Sequence, residues 1–154
     1  MKFDDSPWPL VVITLPPILA PDTIEAMRAH AEAAFRRGQR YATVVDATPV
    51  QRAPDARFRQ QLAEMMNEPA WRAASARYVV ASGVAVTSAV VRAAGTAIGW
   101  LHGNPHPVHY TPDLPSAVDW CVARLEDAGV EGNLGMRGFQ AALRSGKGAG
   151  ARRP

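Results

Sequence analysis

Polar side chains close two apolar segments of this chain and could together bind a small anion. Asp46 ends the β-branched run 41–45, while Thr87 and Ser88 end a later apolar run. In α/β proteins, the carboxyl ends of parallel strands form the sheet edge where ligands bind. Ser88 also opens a helical pattern, and the free N–H groups and dipole of a helix N-terminus favour a phosphate or carboxylate. The candidate ligand-binding residues at this edge are Asp46, Thr48, Thr87, Ser88 and Arg92.

The same residues also suit purely structural roles. Ser88 is a favourable helix N-cap, Asp46 can close a turn through the backbone, and Arg92 can form an ion pair. We favour this structural interpretation over ligand binding. Both interpretations place the residues at the same edge of the sheet, so the ligand-binding alternative stays open.

Three histidines form an H-x3-H-x2-H pattern that could indicate a metal site. They are His102, His106 and His109. Metal binding requires their rings to converge, but residues 103–105 break the helix between the first two, and Pro107 stiffens the loop. We therefore predict a loop with histidines and neither a metal nor another cofactor.

Signatures of known catalytic and nucleotide-binding sites are missing from the sequence. It has no G-x-S-x-G motif, no P-loop and no G-x-G-x-x-G fingerprint. Glu64 and Glu68 lie four residues apart, which indicates a solvated helix face rather than a catalytic pair. Trp71, Trp100 and Trp120 are expected in the core or at an interface. We therefore predict no catalytic residues and a protein that is not an enzyme.

The distribution of charge argues against nucleic acid as a specific partner. The chain has 154 residues, 17 of them basic and 14 acidic. Five of the basic residues follow Gly132, where no acid occurs, so the remainder carries 12 basic residues against 14 acidic ones. That remainder lacks the positive excess that phosphate binding requires. The five late basic residues are Arg137, Arg144, Lys147, Arg152 and Arg153.

The single cysteine and the length of the apolar runs indicate a reducing compartment. Cys121 cannot form an intramolecular disulfide, and its helical context suits a buried thiol. The run 10–15 is too short for a secretory signal, and Arg92 interrupts the apolar stretch 84–101. We expect a cytoplasmic protein without a membrane span.

Hydrophobic spacing predicts four strands that alternate with four helices. We expect the third strand at the later of two candidate segments, 83–87 rather than 78–81. The predicted strands are residues 9–15, 41–45, 83–87 and 107–110. Residues that favour helix N-termini precede each helical pattern. They are Asp22, Pro54, Ser88 and Asp113.

This order predicts one α/β domain with a mostly parallel four-stranded sheet and helices packed on it, in the order β-α-β-α-β-α-β-α. The domain is expected at residues 9–130, after an N-terminal lead at 1–8. Residues 131–154 are expected to form a flexible basic C-terminal tail. Gly95 and Gly99 would permit close contact between helices, either within the domain or in a homodimer.

Four segments, taken in order, resemble the SpoIIAA-like branch of the STAS-type domains. They are Tyr-Ala-Thr-Val-Val-Asp at 41–46, Val-Ala-Val-Thr-Ser-Ala-Val-Val-Arg at 84–92, Ile-Gly-Trp-Leu at 98–101 and Ser-Ala-Val-Asp-Trp at 116–120. The last is similar to a Glu-Ala-x-x-Trp-Leu ending common in such proteins, with Ser116 in place of the acid and Cys121 in place of the Leu. The resemblance extends from residue 9 to residue 128 and implies a STAS-like fold.

The resemblance also implies a bacterial, non-enzymatic signalling module that binds a protein partner. In the anti-sigma-factor antagonists of this family, a Ser at the start of the second helix is phosphorylated. This chain reads Ala-Pro-Asp-Ala at 53–56, so that switch cannot be transferred to it. We interpret Asp55 as a helix N-terminal residue rather than an imitation of phosphate. The predicted partner-binding residues, all within 47–66, are Arg52, Asp55, Phe58, Arg59, Met65 and Met66.

The alternative function is the binding of a small molecule or lipid, as some STAS-like folds are thought to do. Exposed apolar side chains in the segment 47–66 would favour a protein partner, whose identity the sequence does not reveal. A well-formed apolar pocket beside Asp46 and Ser88 would instead favour a small ligand.

Overall fold

The sheet of this protein has five strands and is mixed. The computed structural model describes residues 1–89, 91–93 and 103–145. The strands are β1 (Lys2–Asp4), β2 (Leu10–Thr14), β3 (Tyr41–Asp46), β4 (Val79–Ala85) and β5 (Val108–Thr111). They lie side by side in chain order, with β1 antiparallel to β2 and every later pair parallel.

Five helices have both ends within the described residues. They are α1 (Pro21–Arg36), α2 (Ala56–Asn67), α3 (Pro69–Tyr78), α4 (Leu114–Asp127) and α5 (Leu134–Arg144). Side chains accept hydrogen bonds from the free N–H groups at several of their starts. Asp55 caps α2 and Asp113 caps α4, each with an O···N distance of 2.8 Å. None of the helices that the structure describes is long and apolar enough to cross a membrane.

The predicted α/β class is confirmed, as are the N-caps Ser88 and Asp113. Ser88 Oγ accepts from the backbone N–H of Val91 at 3.3 Å and so starts a further helical turn. The rest of that predicted helix, including Gly95 and Gly99, lies outside the described residues.

Several predicted boundaries are wrong. The strand count rises from four to five because β1 lies within the predicted lead. The third predicted strand begins at Val79 and ends at Ala85, so it overlaps both candidate segments and stops before Thr87. The helices α1 and α2 begin at Pro21 and Ala56 rather than at Asp22 and Pro54. Pro21 starts α1 because its fixed φ and missing N–H suit the first helical position.

The N-terminal segment is anchored to α1 by one carboxylate. Asp5 contacts the imidazole Nε2 of His30 at 2.9 Å and accepts a hydrogen bond from the guanidinium of Arg37 at 2.7 Å. Phe3 stacks on the His30 ring with 4.0 Å between the ring centroids. Residues 1–8 are therefore part of the folded domain rather than a lead that precedes it.

One face of the sheet packs closely against α4. Gly83, in the middle of β4, permits this close approach. A Cβ atom at this position would lie 2.8 Å from the carbonyl oxygen of Ala117 and 2.9 Å from Sγ of Cys121. The buried core on this face consists of Leu10, Val12, Ala42, Val44, Ala85, Ala117, Val118, Cys121, Val122, Leu125 and Met136.

The predicted flexible tail is wrong for residues 134–144, which form α5. Met136 of this helix is 2% exposed and belongs to the core beside α4. Gln140 and Arg144 both donate hydrogen bonds to the carboxylate of Asp119 on α4. The helix was missed because its basic and glycine residues suggest a tail, whereas its apolar residues recur at helical spacing and contact α4.

Two connections between parallel strands, from β2 to β3 and from β3 to β4, lie on the other face of the sheet. A right-handed crossover returns to the same face each time when successive strands are added in one direction. Here α1 joins β2 to β3, and α2 with α3 joins β3 to β4. These three helices therefore share one face, opposite α4.

Candidate ligand-binding cavity

A cavity of about 290 Å³ lies between the sheet and the three crossover helices. The sheet side is lined by Thr43, Val45, Ser82, Val84, Val108 and Tyr110. The helix side is lined by Met27, Phe35, Phe58, Leu62, Met65, Met66 and Trp71, among others. Most of these side chains are apolar, and a volume near 300 Å³ is at the lower end of the range for small-molecule pockets.

The two faces of the central strands differ in how completely they are covered. Ala42, Val44 and Ala85 face α4 and are 0% exposed. Their neighbours Thr43 and Val84, on the opposite face of the same strands, are only half-buried. Central strands of a parallel sheet are normally covered by helices on both faces. The cavity therefore lies over the less completely covered face of these strands.

The helices on the cavity side are held to one another. The Arg28 guanidinium of α1 donates two hydrogen bonds to the Glu68 carboxylate between α2 and α3, at 2.7 and 2.5 Å. The backbones of α1 and α2 approach each other more closely than either approaches the sheet. Since both partners of the ion pair are exposed, it joins the two helices but adds little stability.

The cavity extends between the two edges of the sheet. Leu15 and Leu19 lie at the carboxyl edge, in the loop between β2 and α1. Pro105 and His106 lie at the amino edge, in the loop before β5. A strand rises about 3.3 Å per residue, so a strand of five or six residues spans about 17–20 Å. The cavity is thus long enough for an extended molecule.

A chain of four polar side chains interrupts the apolar wall. Thr43 Oγ1 lies 2.6 Å from Ser82 Oγ, which in turn lies 2.8 Å from Nε2 of His106. The other ring nitrogen of His106, Nδ1, lies 3.1 Å from Ser75 Oγ on α3. We call this set, Thr43, Ser82, His106 and Ser75, the hydroxyl–imidazole chain.

Burial keeps two ionisable groups of the cavity wall, His106 and Tyr41, neutral at pH 7. Burial lowers the pKa of His106 to about 4, because an apolar environment disfavours the charged imidazolium. Burial also raises the pKa of Tyr41 above its usual range. Among the described residues that line the cavity there is no Asp, Glu, Lys or Arg. The described part of the wall therefore offers hydrogen bonds but no charge to a bound molecule.

The residues predicted to bind a ligand at the carboxyl edge lie outside the cavity wall. Asp46 Oδ1 accepts from the backbone N–H of Thr48 at 3.1 Å and from its hydroxyl at 2.6 Å, which closes the turn after β3. Ser88 caps a helix, and Arg92 donates to the carbonyl of Val86 at 3.0 Å. Thr87 is exposed. The turn at Asp46 and the cap at Ser88 agree with the structural interpretation.

The residues predicted to bind a protein partner do not form one exposed apolar surface. Phe58 and Met65 are 4% and 2% exposed and face the cavity, so the prediction of surface contacts is wrong for both. Met66 is half-buried and also lines the cavity. The charged members Arg52, Asp55 and Arg59 are exposed. Of these, Asp55 caps α2 and Arg59 donates to the carbonyl of Pro54 at 3.1 Å.

The histidines of the H-x3-H-x2-H pattern do not converge within the described part of the chain. His106 points into the cavity, whereas His109 stacks on Trp120 of α4 at 5.1 Å on the opposite face. His102 lies outside the described residues. The thiol of Cys121 is also turned away from the cavity, since it is 0% exposed and donates to the carbonyl of Thr43 at 3.3 Å.

Sequence reasoning missed the hydroxyl–imidazole chain. Its members come from four separate elements, so no local motif contains them. One signal was present: Thr43 and Ser82 are hydroxyl residues on inward-facing positions of two apolar strands, and they pair directly in the sheet. A polar pair at matched positions in a sheet interior indicates either a buried hydrogen bond or a site for a ligand.

Comparisons with known proteins assign no family to the chain. No protein-family model matches it, and no curated protein sequence matches it either. A function therefore has to be proposed from the cavity and the chemistry of its wall.

Proposed function

We propose that this protein binds a small, largely apolar molecule in the cavity between its sheet and helices α1 to α3. One observation carries the proposal. The half-buried side chains of Thr43, Ser82 and Val84, on β3 and β4, face an apolar cavity of about 290 Å³. Apolar surface left uncovered in this way favours an apolar ligand, because transfer of the ligand out of water is favourable.

The interior position of the cavity favours a small ligand over a protein partner. The apolar residues predicted for a protein interface, Phe58 and Met65, are part of the cavity wall and are buried there. A protein surface could not reach them without separating α2 from α1 and the sheet. A small apolar molecule can occupy the cavity as it stands.

A fluorescence titration tests this function. N-phenyl-1-naphthylamine is an uncharged probe that becomes fluorescent in apolar surroundings. We expect saturable fluorescence with the wild-type chain and loss of at least 90% of the signal in Val84→Phe, because the added ring enters the cavity from the carboxyl end of β4. The matched control is Leu134→Phe, at a position that is 86% exposed; it should bind the probe like the wild type.

A variant that does not fold would also lose binding, so circular dichroism is used to confirm that each variant is folded before the titration. A folded Val84→Phe variant that binds the probe as tightly as the wild type would place the binding site elsewhere. Absence of saturable binding to the wild type, with this probe and with decan-1-ol, would remove the proposal.

We further propose that the chain is a distant STAS-type domain. The alternation of β2, α1, β3, α2, α3 and β4, together with the four sequence segments, supports this relationship. A cytoplasmic location and a role in signalling belong to the same proposal. Experimental coordinates compared with those of STAS-type domains would test it, since a different strand order in the matched core would contradict it.

A further inference from the structure

The chemistry of the cavity wall indicates which chemical class of ligand the cavity can bind. This inference rests on the function proposed above and concerns the end of the ligand that is not apolar. The relevant groups are the hydroxyl–imidazole chain and the absence of fixed charge among the described residues of the wall.

A count of hydrogen atoms shows what the hydroxyl–imidazole chain can offer. Each hydroxyl of Thr43, Ser82 and Ser75 carries one hydrogen, and the neutral imidazole of His106 carries one more. The hydroxyl–imidazole chain contains three hydrogen bonds, and each of them uses one hydrogen atom. One hydrogen therefore remains for a partner outside the chain. Unused lone pairs also remain on the hydroxyl oxygens, so the set can both donate and accept.

The position of this set gives the ligand a direction. Thr43 and Ser82 are half-buried and line the cavity in the middle of the two central strands. His106 and Ser75 extend the polar group toward the amino edge. From there to the carboxyl edge, the wall is mostly apolar and includes Val45 and Val84, with Tyr110 paired to Val84 on the neighbouring strand. A polar head bound at the hydroxyls would leave its tail along this apolar part.

We propose that the cavity selects an uncharged amphiphile, with a hydroxyl or amide head bonded to Thr43 and Ser82 and a hydrocarbon tail directed toward the carboxyl edge. A carboxylate or ammonium head would be buried without a counterion in the described part of the wall, which is unfavourable. A neutral head that donates and accepts hydrogen bonds can be buried there without this penalty. Long-chain alcohols and monoacylglycerols have this chemistry, while ionised fatty acids do not.

Three ligands with the same ten-carbon tail test the inference by displacement of N-phenyl-1-naphthylamine at pH 8. They are decan-1-ol, decanoate and decyltrimethylammonium, which are neutral, anionic and cationic. We expect decan-1-ol to bind at least tenfold more tightly than either ion. We also expect the affinity of decanoate to rise as the pH falls toward 5, because the acid becomes protonated, with little change for decan-1-ol.

A double variant tests the role of the hydroxyls. Thr43→Val and Ser82→Ala together remove both hydroxyls and nearly preserve the cavity shape. We expect decan-1-ol binding to weaken about tenfold, while binding of the probe changes less than twofold. The matched control is Thr48→Val, which removes a hydroxyl at the turn after β3, outside the cavity wall.

The outcomes separate this inference from the proposed function. If the probe binds in the cavity but decanoate or the ammonium competes as well as decan-1-ol, the uncharged class is wrong and the apolar site stands. An unchanged affinity of the folded double variant for decan-1-ol would contradict the role of the hydroxyls. If neither the probe nor any of the three ligands binds, the proposed function itself, binding of a small apolar molecule, is wrong.

Discussion

At the scale of single residues, His106 connects the cavity to the stability of the fold. Both of its ring nitrogens are engaged by serine hydroxyls, at 2.8 and 3.1 Å. The neutral ring can satisfy both contacts as one donor and one acceptor, but a protonated ring would place a charge in an apolar wall. His106 is therefore the residue through which acid should act on this part of the molecule.

Acidification should destabilise the protein in a defined pH range. The pKa of His106 is about 4 in the folded chain, against 6.5 for the free side chain. Since the folded-state pKa is lowered, its contribution to stability is complete above pH 6.5 and is lost as the pH falls through 4. The loss amounts to at most about 3–4 kcal/mol, at about 1.4 kcal/mol per pKa unit. Urea unfolding at pH 7 and pH 4.5 measures it.

Replacement of the His106 imidazole separates the loss of stability caused by its protonation from the losses caused by carboxylates that titrate in the same pH range. The variant His106→Gln keeps hydrogen-bonding capacity without a group that protonates, so its stability should fall less between the two pH values. The control is His109→Gln, at an exposed position of β5; its stability should fall as much as that of the wild type. Equal losses in His106→Gln and in the wild type would show that acid acts elsewhere.

At the scale of elements, the contact between α4 and the sheet depends on a residue without a side chain. Gly83 lies opposite Ala117 and Cys121, and the helix backbone occupies the space that a Cβ atom would need. Neither neighbour is the far end of a flexible side chain, so α4 itself would have to shift. This approach lets α4 cover the middle of the sheet more closely than α1 and α2 cover the other face.

Substitution of this glycine should therefore be costly. We expect Gly83→Ala to lower the free energy of unfolding by about 1–3 kcal/mol, the usual effect of overpacking a core. Gly138→Ala is the control, because a Cβ there meets nothing within 4 Å on an exposed position of α5. It should raise stability by about 0.5–1 kcal/mol through helix propensity. A neutral Gly83→Ala variant in urea unfolding would show that α4 can move away from the sheet.

Local signals in the sequence predict the elements better than they predict how the elements pack. Ser88 and Asp113 were identifiable as caps because a cap depends on a side chain and the next turn of backbone. The start of α2 was misplaced because Pro54 and Asp55 both favour a helix start, and the hydrogen bond from Phe58 decides for Asp55. No local sequence pattern indicates the cavity, because the cavity depends on the distance between the sheet and the helices α1 to α3.

At the scale of the whole molecule, the sheet has one closed face and one partly open face. The C-terminal helices α4 and α5 complete the closed face with fully buried residues such as Leu125 and Met136. The crossover helices leave a cavity over the other face. The closely packed face with α4 and α5 and the proposed ligand site therefore lie on opposite sides of the same strands.

The contribution of α5 to the closed face can be measured with two residues of the same helix. Met136 is 2% exposed, whereas Leu134 is 86% exposed. We expect Met136→Ala to destabilise the protein by about 2–5 kcal/mol, the range for truncation of a buried methionine. Leu134→Ala should change stability by less than about 0.5 kcal/mol. Similar small effects in both variants, measured by urea unfolding, would mean that α5 does not dock on the core.

The order of elements also gives α4 a particular place in the synthesis of the chain. The ribosome completes β2, β3 and β4 well before Leu114–Asp127, yet this later segment covers Leu10, Val12 and Val44. Until it emerges from the exit tunnel, the nascent sheet presents an apolar face with nothing to pack on. Such exposed surface promotes aggregation during folding. We therefore expect the growing chain to require a temporary cover, such as a chaperone, until α4 has been made.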